Sequence, residues 1–84
     1  MKILIDVRTR EEFVLDAAPG AINIPLDEIL DTKGTLRNVS IEVEIGVYCM
    51  AGCRAEKAKD ALNKLGYSNV TNLGGLRDVT RGSN

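Results

Sequence analysis

The stretch Val47-Tyr48-Cys49-Met50-Ala51-Gly52-Cys53-Arg54-Ala55 contains both cysteines of this 84-residue chain and joins two different hydrophobic patterns. An apolar run ends at Cys49, and a helix-like pattern begins at Ala55. If a strand precedes the loop and a helix follows it, the backbone N–H groups of the loop point at its centre. The positive end of the helix then favours a thiolate and lowers the pKa of the thiol. The stretch therefore predicts that Cys49 is a nucleophile at a strand-to-helix junction.

The two cysteines have competing interpretations. A cysteine at the end of an apolar strand is often only a small buried side chain, but the small-residue loop and the helix after it favour a reactive Cys49. For Cys53 we favour a side chain that fills space in the core. The alternative is a second thiol near enough to Cys49 to form a disulfide.

Strand-like and helix-like patterns alternate along the rest of the chain. Thr9 and Glu12 form a predicted capping box. The helix that follows has a partial apolar face formed by Phe13, Val14 and Ala17. Gly66 is the expected C′ residue of the helix after the cysteine loop. Strands are predicted at 2–7, 21–24, 39–48 and 69–73, and helices after Thr9 and at 26–30, 55–65 and 76–80.

This alternation over short connections predicts an α/β sandwich with a mostly parallel central sheet flanked by helices. The length allows one domain, which we assign to 1–80, with 81–84 as a flexible tail.

Composition excludes several classes of function. The 11 basic and 12 acidic residues give no electrostatic footprint for nucleic acid or a membrane surface, and no apolar run is long enough for a signal peptide or a membrane span. The chain has no histidine, and its cysteine spacing matches neither a zinc site nor a CxxC motif, so we expect no metal and no cofactor. As given, the chain is expected in the cytoplasm, or in the periplasm if it is the processed form of an exported precursor.

In an open parallel sheet, ligands bind outside the carboxyl ends of the strands. Arginines follow three of the predicted strands: Arg8 and Arg10 follow the first, Arg54 ends the cysteine loop, and Arg77 follows the last. Arg54 is the strongest candidate for a ligand contact, and Arg8 is the best candidate outside the loop. Surface arginines more often form weak ion pairs with neighbouring carboxylates, which is the alternative for the others.

Four motifs together resemble the rhodanese-like domain in its minimal single-domain form. They cover nearly the whole chain and lie at 5–13, 19–26, 47–54 and 58–75. The resemblance implies a sulfurtransferase in which Cys49 takes the outer sulfur of a small anionic donor such as thiosulfate, becomes a persulfide, and passes the sulfur to a thiol or to cyanide. The substrate-binding residues are then expected to be Met50, Ala51, Gly52, Cys53, Arg54 and Arg8.

The length of the loop separates this chemistry from that of related phosphatases. Four residues lie between Cys49 and Arg54, which is the spacing of the sulfurtransferases, whereas phosphatases of the same fold have one more. Two other functions stay open. One is a non-catalytic or sulfur-relay module that receives a persulfide from a partner protein, and the other is a redox switch formed by Cys49 and Cys53.

The chain departs from the family pattern in two ways. Ala17 stands where the family commonly has a histidine, and members usually carry a further strand and helix before the segment at 5–8. We expect the second difference to leave one sheet edge less covered, which predicts low stability or weak self-association of the monomer through that edge.

Overall fold

The computed structural model describes residues 2–29, 39–51 and 53–82, which form a parallel sheet with helices packed against it. The strand order is β2-β1-β3-β4, and each neighbouring pair of strands is parallel. In chain order the elements are β1 (Lys2–Asp6), α1 (Arg10–Leu15), β2 (Ile22–Asn23), α2 (Leu26–Ile29), β3 (Glu44–Cys49), α3 (Cys53–Lys64), β4 (Val70–Gly75) and α4 (Leu76–Gly82). The predicted α/β sandwich with a mostly parallel sheet is confirmed.

Side-chain alternation along β3 explains why helices cover both faces of the sheet. Successive residues of a strand point to opposite faces. Ile45, Val47 and Cys49 belong to a large core that also contains buried residues of α2 and α3, whereas Tyr48 belongs to a second core with Leu76 of α4. The middle strand is therefore buried on both sides, and its carboxyl end is fixed by both layers.

Helix α3 ends as its sequence predicts. Gly66 has a φ of 106°, and its N–H donates to the carbonyl of Asn63 at 3.1 Å. The N–H of Tyr67 donates to the carbonyl of Leu62 at 3.1 Å, which completes a Schellman motif. Glycine is suited to this position because it adopts a positive φ without steric cost.

The prediction of one strand over 39–48 is wrong at its beginning, because β3 starts at Glu44. The N–H of Val43 donates to the carbonyl of Ser40 at 3.1 Å, and the N–H of Glu42 donates to the Ser40 hydroxyl at 3.2 Å. This serine-stabilised turn replaces the strand that the apolar alternation suggested.

Helix α1 has the predicted start but not the predicted apolar face. Thr9 is its N-cap and forms the capping box. The helix ends at Leu15, because Asp16 is extended with a φ of −168°, so Ala17 lies outside it. Val14 is 81% exposed, and no residue of α1 is buried.

Other boundaries differ by a few residues. Helix α4 continues to Gly82, two residues beyond the predicted end, and β4 runs to Gly75 rather than stopping at 73. The predicted end of the second helix at Leu30 and the break at 33–35 lie outside the described residues.

Candidate active site

Cys49 is the last residue of β3 and is only 1% exposed. Residues 50–52 connect it to α3, which is a twelve-residue helix that begins at Cys53. Because the described strands are all parallel, their carboxyl ends lie on one side of the sheet, and Cys49 lies on that side, where ligands bind in such folds. The thiol is thus located between a buried strand and the positive end of a helix, as the sequence predicted.

Gly75 lies against the loop that follows Cys49. It is the register partner of Cys49, after an irregularity between Val47 and Cys49 in the pairing of β3 with β4. A Cβ atom at Gly75 would lie 2.2 Å from the carbonyl oxygen of Met50 and 3.5 Å from the backbone nitrogen of Ala51. The loop can therefore occupy its position only because residue 75 has no side chain.

Arg54 forms a two-pronged ion pair with Glu12 of α1. Its Nη1 donates to Glu12 Oε1 at 2.8 Å, and its Nη2 donates to Glu12 Oε2 at 3.1 Å. Both side chains are partly buried, at 36% exposed for Arg54 and 29% for Glu12. The hydrogen bonds from Arg54 are the main reason that the pKa of Glu12 is lowered from 4.5 to about 2, and those to Glu12 raise the pKa of Arg54.

The sequence assigned Glu12 to the capping box and to pairing with surface arginines, but it did not connect Glu12 with the loop. The structure gives it both roles, since Oε1 also accepts from the Thr9 N–H at 3.1 Å and the Thr9 hydroxyl at 3.2 Å. A carboxylate in the turn after β1 lies at the same sheet edge as the end of β3, because β1 and β3 are parallel neighbours. That placement was the available indication of a contact with Arg54.

Arg8 does not have the position expected of a substrate-binding residue. It is 1% exposed and forms a buried ion pair with Asp6, in which Nη2 lies 2.7 Å from Asp6 Oδ2. Its Nη2 also donates to the carbonyl of Asp16, and its Cζ lies 5.8 Å from the centre of the Tyr48 ring. The hydrogen bond to Asp6 raises the pKa of Arg8. These contacts make Arg8 part of a buried support with Asp6 and Tyr48 rather than a group open to a donor, and a role of Arg8 in substrate binding stays a prediction.

Tyr48, next to Cys49, belongs to the same support. Its hydroxyl accepts from the Ala18 N–H at 3.0 Å, and the residue is fully buried. Burial is the main cause that raises the pKa of Tyr48 to about 12, so the phenol stays protonated at neutral pH. It therefore acts as a structural group here.

The loop residues differ in exposure. Met50 is 55% exposed and Ala51 is exposed, while Gly52 lies outside the described residues. Cys53 is an exposed free thiol, so the interpretation of Cys53 as a core-filling side chain is wrong. As the first residue of α3, it lies before the buried face that begins at Ala55.

Arg10 and Arg77, which also follow predicted strands, are both exposed. Arg10 forms an exposed ion pair with Glu28 at 2.5 Å, and Arg77 is exposed on α4. Such exposed pairs contribute little to stability.

Within 2–29, 39–51 and 53–82, no group of three or more histidine, cysteine, aspartate or glutamate side chains is arranged to hold a metal ion. None of the helices in the described part of the chain has the length and apolar character needed to cross a membrane.

Comparison with known proteins identifies the family. Residues 1–81 match the rhodanese-like domain. The chain is 40% identical over 78 residues to the thiosulfate sulfurtransferase PspE of Escherichia coli. This alignment covers 89% of this chain and 71% of PspE. Among solved structures, a rhodanese with anions from E. coli has a TM-score of 0.84 at 38% identity, over 93% of this chain and 91% of that one. The human single-domain sulfurtransferase TSTD1 has a TM-score of 0.83 at 28% identity, over 95% and 81% of the two chains.

The match over 1–81 includes all four described strands and the cysteine loop. The chain therefore belongs to the rhodanese-like domain family and is an enzyme of the sulfurtransferase class.

Proposed function

We propose that this chain transfers a sulfane sulfur from thiosulfate, or from a similar anionic donor, to a thiol or cyanide through a persulfide on Cys49. The observation that carries the proposal is the placement of Cys49 at the carboxyl end of β3, directly before the connection to α3. The thiosulfate sulfurtransferase PspE is 40% identical to this chain, which supports the same donor class.

The reaction has two displacement steps. In the first, the Cys49 thiolate attacks the outer sulfur of thiosulfate, the S–S bond of the donor breaks, and sulfite leaves with the electron pair. In the second, a thiolate or cyanide attacks the outer sulfur of the persulfide. The product is a new persulfide or thiocyanate, and Cys49 leaves as the thiolate. No separate base is needed once the thiolate is present.

The loop and Arg54 have distinct roles in this proposal. Backbone N–H groups of Met50, Ala51 and Cys53 stabilise the negative charge on the Cys49 sulfur and then on the terminal sulfur of the persulfide. Arg54 binds the anionic end of the donor. Glu12 accepts from the two Nη atoms of Arg54, which leaves the Nε–H edge of the guanidinium for the anion. The E. coli rhodanese that was solved with anions supports an anion site of this kind.

The test is to incubate the chain with thiosulfate and to map any mass gain by peptide mass spectrometry. We expect a gain of one sulfur atom on the peptide that carries Cys49, release of sulfite, and formation of thiocyanate when cyanide follows. Cys49→Ser is expected to abolish all three, and Cys53→Ser to retain them. Full activity in Cys49→Ser would overturn the proposal.

A change of sulfur donor and a mild oxidation separate the two other functions from this one. A sulfur-relay module would gain sulfur from a persulfide-carrying protein but not from thiosulfate. A redox switch is the second candidate because Cys53 is an exposed free thiol in the same loop. It would lose both thiols together under mild oxidation, and Cys53→Ala would block that loss.

A further inference from the structure

We propose that Glu12 is a positioning residue for Arg54 and that this pair makes the site selective for sulfur donors with an anionic sulfonate group, such as thiosulfate. The inference rests on the proposed sulfur transfer through Cys49 and goes beyond it by assigning a role to a residue of a different element. Glu12 itself contacts neither the donor nor Cys49 in this proposal.

The contact between the two side chains fixes the plane of the guanidinium. Each oxygen of Glu12 accepts from a different Nη atom of Arg54, at 2.8 and 3.1 Å. Such paired hydrogen bonds between a planar cation and a carboxylate hold both groups in one orientation. A lone arginine in a loop junction has many rotamers, so the pair removes most of that freedom before a donor arrives.

Glu12 is held in turn by the start of α1. Its Oε1 accepts from the backbone N–H and the hydroxyl of Thr9, at 3.1 and 3.2 Å, and its own N–H donates to the Thr9 hydroxyl at 3.2 Å. The carboxylate is therefore tied to the backbone that follows β1. The orientation of Arg54 is set by the turn after β1, whereas the position of Cys49 is set by β3.

The pair also decides which part of Arg54 meets an anion. Glu12 occupies the Nη1/Nη2 edge, where its negative charge repels a second anion. The Nε–H edge is left, and its N–H donors point in a different direction. Because Glu12 stays ionised across neutral pH, the arrangement does not change in the range in which sulfur transfer is assayed.

Positioning and simple charge compensation predict opposite results. If Glu12 only cancels the charge of Arg54, its removal strengthens the attraction of the site for an anion, and KM for thiosulfate falls. If Glu12 orients Arg54, its removal raises KM for thiosulfate although the site becomes more positive. The sign of the change in KM therefore separates the two roles.

The experiment compares wild type with Glu12→Ala, Glu12→Gln, Arg54→Ala and the double variant Glu12→Ala/Arg54→Ala. We expect Glu12→Ala to raise KM for thiosulfate by about three- to tenfold and to change kcat by less than about twofold. Glu12→Gln keeps one acceptor oxygen, and its KM for thiosulfate is expected to lie between those of Glu12→Ala and wild type. The double variant should be no worse than Arg54→Ala alone, since Glu12 acts through Arg54.

The matched control is Glu11→Ala, which removes an exposed carboxylate from the same helical turn. A second donor, an alkyl persulfide, has no sulfonate group for Arg54 to bind and should be used equally well by wild type and Glu12→Ala. Circular dichroism and the unfolding midpoint establish that each variant is folded, and Glu12→Gln carries the test if Glu12→Ala does not fold.

Two failures are distinguishable. If wild type forms no persulfide with either donor, the proposed function is wrong. If wild type is active but Glu12→Ala matches Glu11→Ala, or has a lower KM for thiosulfate, the positioning role is wrong and the proposed function stands. Equal losses with thiosulfate and with the alkyl persulfide would likewise overturn selectivity through Arg54.

Discussion

At the scale of single residues, the loop after Cys49 depends on a glycine in another strand. Gly75 pairs with Cys49 across the sheet, and a Cβ atom there would lie 2.2 Å from the Met50 carbonyl oxygen. That separation is far inside van der Waals contact and involves backbone on both sides, so rotation of a side chain cannot relieve it. The loop would have to move.

We therefore predict that Gly75→Ala lowers the rate of persulfide formation on Cys49 by at least about tenfold while the chain remains folded, because displaced amides no longer meet the sulfur. Rates of persulfide formation from thiosulfate and thermal unfolding curves test this. Gly66→Ala is the control. Gly66 has a φ of 106° and lies at the end of α3. Its replacement by alanine should therefore cost about 1 kcal/mol of stability but leave the rate of persulfide formation intact. A wild-type rate in Gly75→Ala would contradict the prediction.

The two arginines of the site illustrate what sequence can and cannot decide. Both Arg8 and Arg54 follow a predicted strand, and the rule for parallel sheets places both at the same edge. What separates them is burial: Arg8 is buried with Asp6, which is only two residues away in the chain, whereas Arg54 is partly exposed and pairs with Glu12. Partner choice of this kind depends on rotamers and packing, which spacing along a chain does not encode.

At the scale of elements, α1 is held by polar contacts rather than by packing. It has six residues, none of them buried, and short helices are marginal in water. The capping box and the Glu12–Arg54 pair connect it to the rest of the molecule. Its attachment should therefore depend on pH.

The direction of this pH dependence follows from the pKa of Glu12, which is lowered from 4.5 to about 2 in the folded chain. A depressed folded pKa contributes stability that is fully present above the unfolded value and is lost as pH falls toward the folded one. We predict that the free energy of unfolding falls by about 1 kcal/mol more in wild type than in Glu12→Gln between pH 4.5 and 2. The effect is no larger because solvent screens this partly exposed pair. This difference corresponds to about 5 °C in the unfolding midpoint.

Thermal unfolding of wild type, Glu12→Gln and Glu11→Gln over this pH range measures the effect. The curves of wild type and Glu12→Gln should converge near pH 2, and Glu11→Gln should follow wild type. Parallel curves for wild type and Glu12→Gln would show that the ion pair does not stabilise the fold.

Elements with strong local patterns were predicted well. The apolar spacing and the glycine of α3 determine its face and its end, and the Thr9–Glu12 spacing determines the start of α1. One failure came where a local hydrogen bond competes with an apolar pattern. Ser40 closes a turn in a segment whose alternation is that of a strand. The early end of α1 is a second failure, since the backbone of Asp16 is extended and Ala17 lies outside the helix.

At the scale of the whole molecule, the sheet has two edge strands within the described residues. β2 has two residues, whereas β4 has six and no strand on its other side in the described part of the chain. An edge strand presents unpaired backbone groups that can pair with a second chain. The long edge is thus the place where self-association is expected.

We predict weak, concentration-dependent self-association through β4, measured by sedimentation velocity over a range of protein concentrations. Thr71→Lys, which adds a charge at an exposed position of this strand, should shift the chain toward monomer. Asn63→Lys, which adds the same single charge at an exposed position of α3, is the control and should leave the association unchanged. A monomer at all concentrations would exclude this interface.

The contact between Gly75 and the cysteine loop also has a consequence for the order of synthesis. The ribosome adds Cys49 to the nascent chain before it adds β4, so a chain that ends before Val70 carries the thiol without the strand that fixes the loop around it. Domains fold as units once their non-local contacts are available. The reactive centre is therefore completed only after β4 has been made, and Cys49 is expected to acquire its reactivity only once that strand has paired with β3.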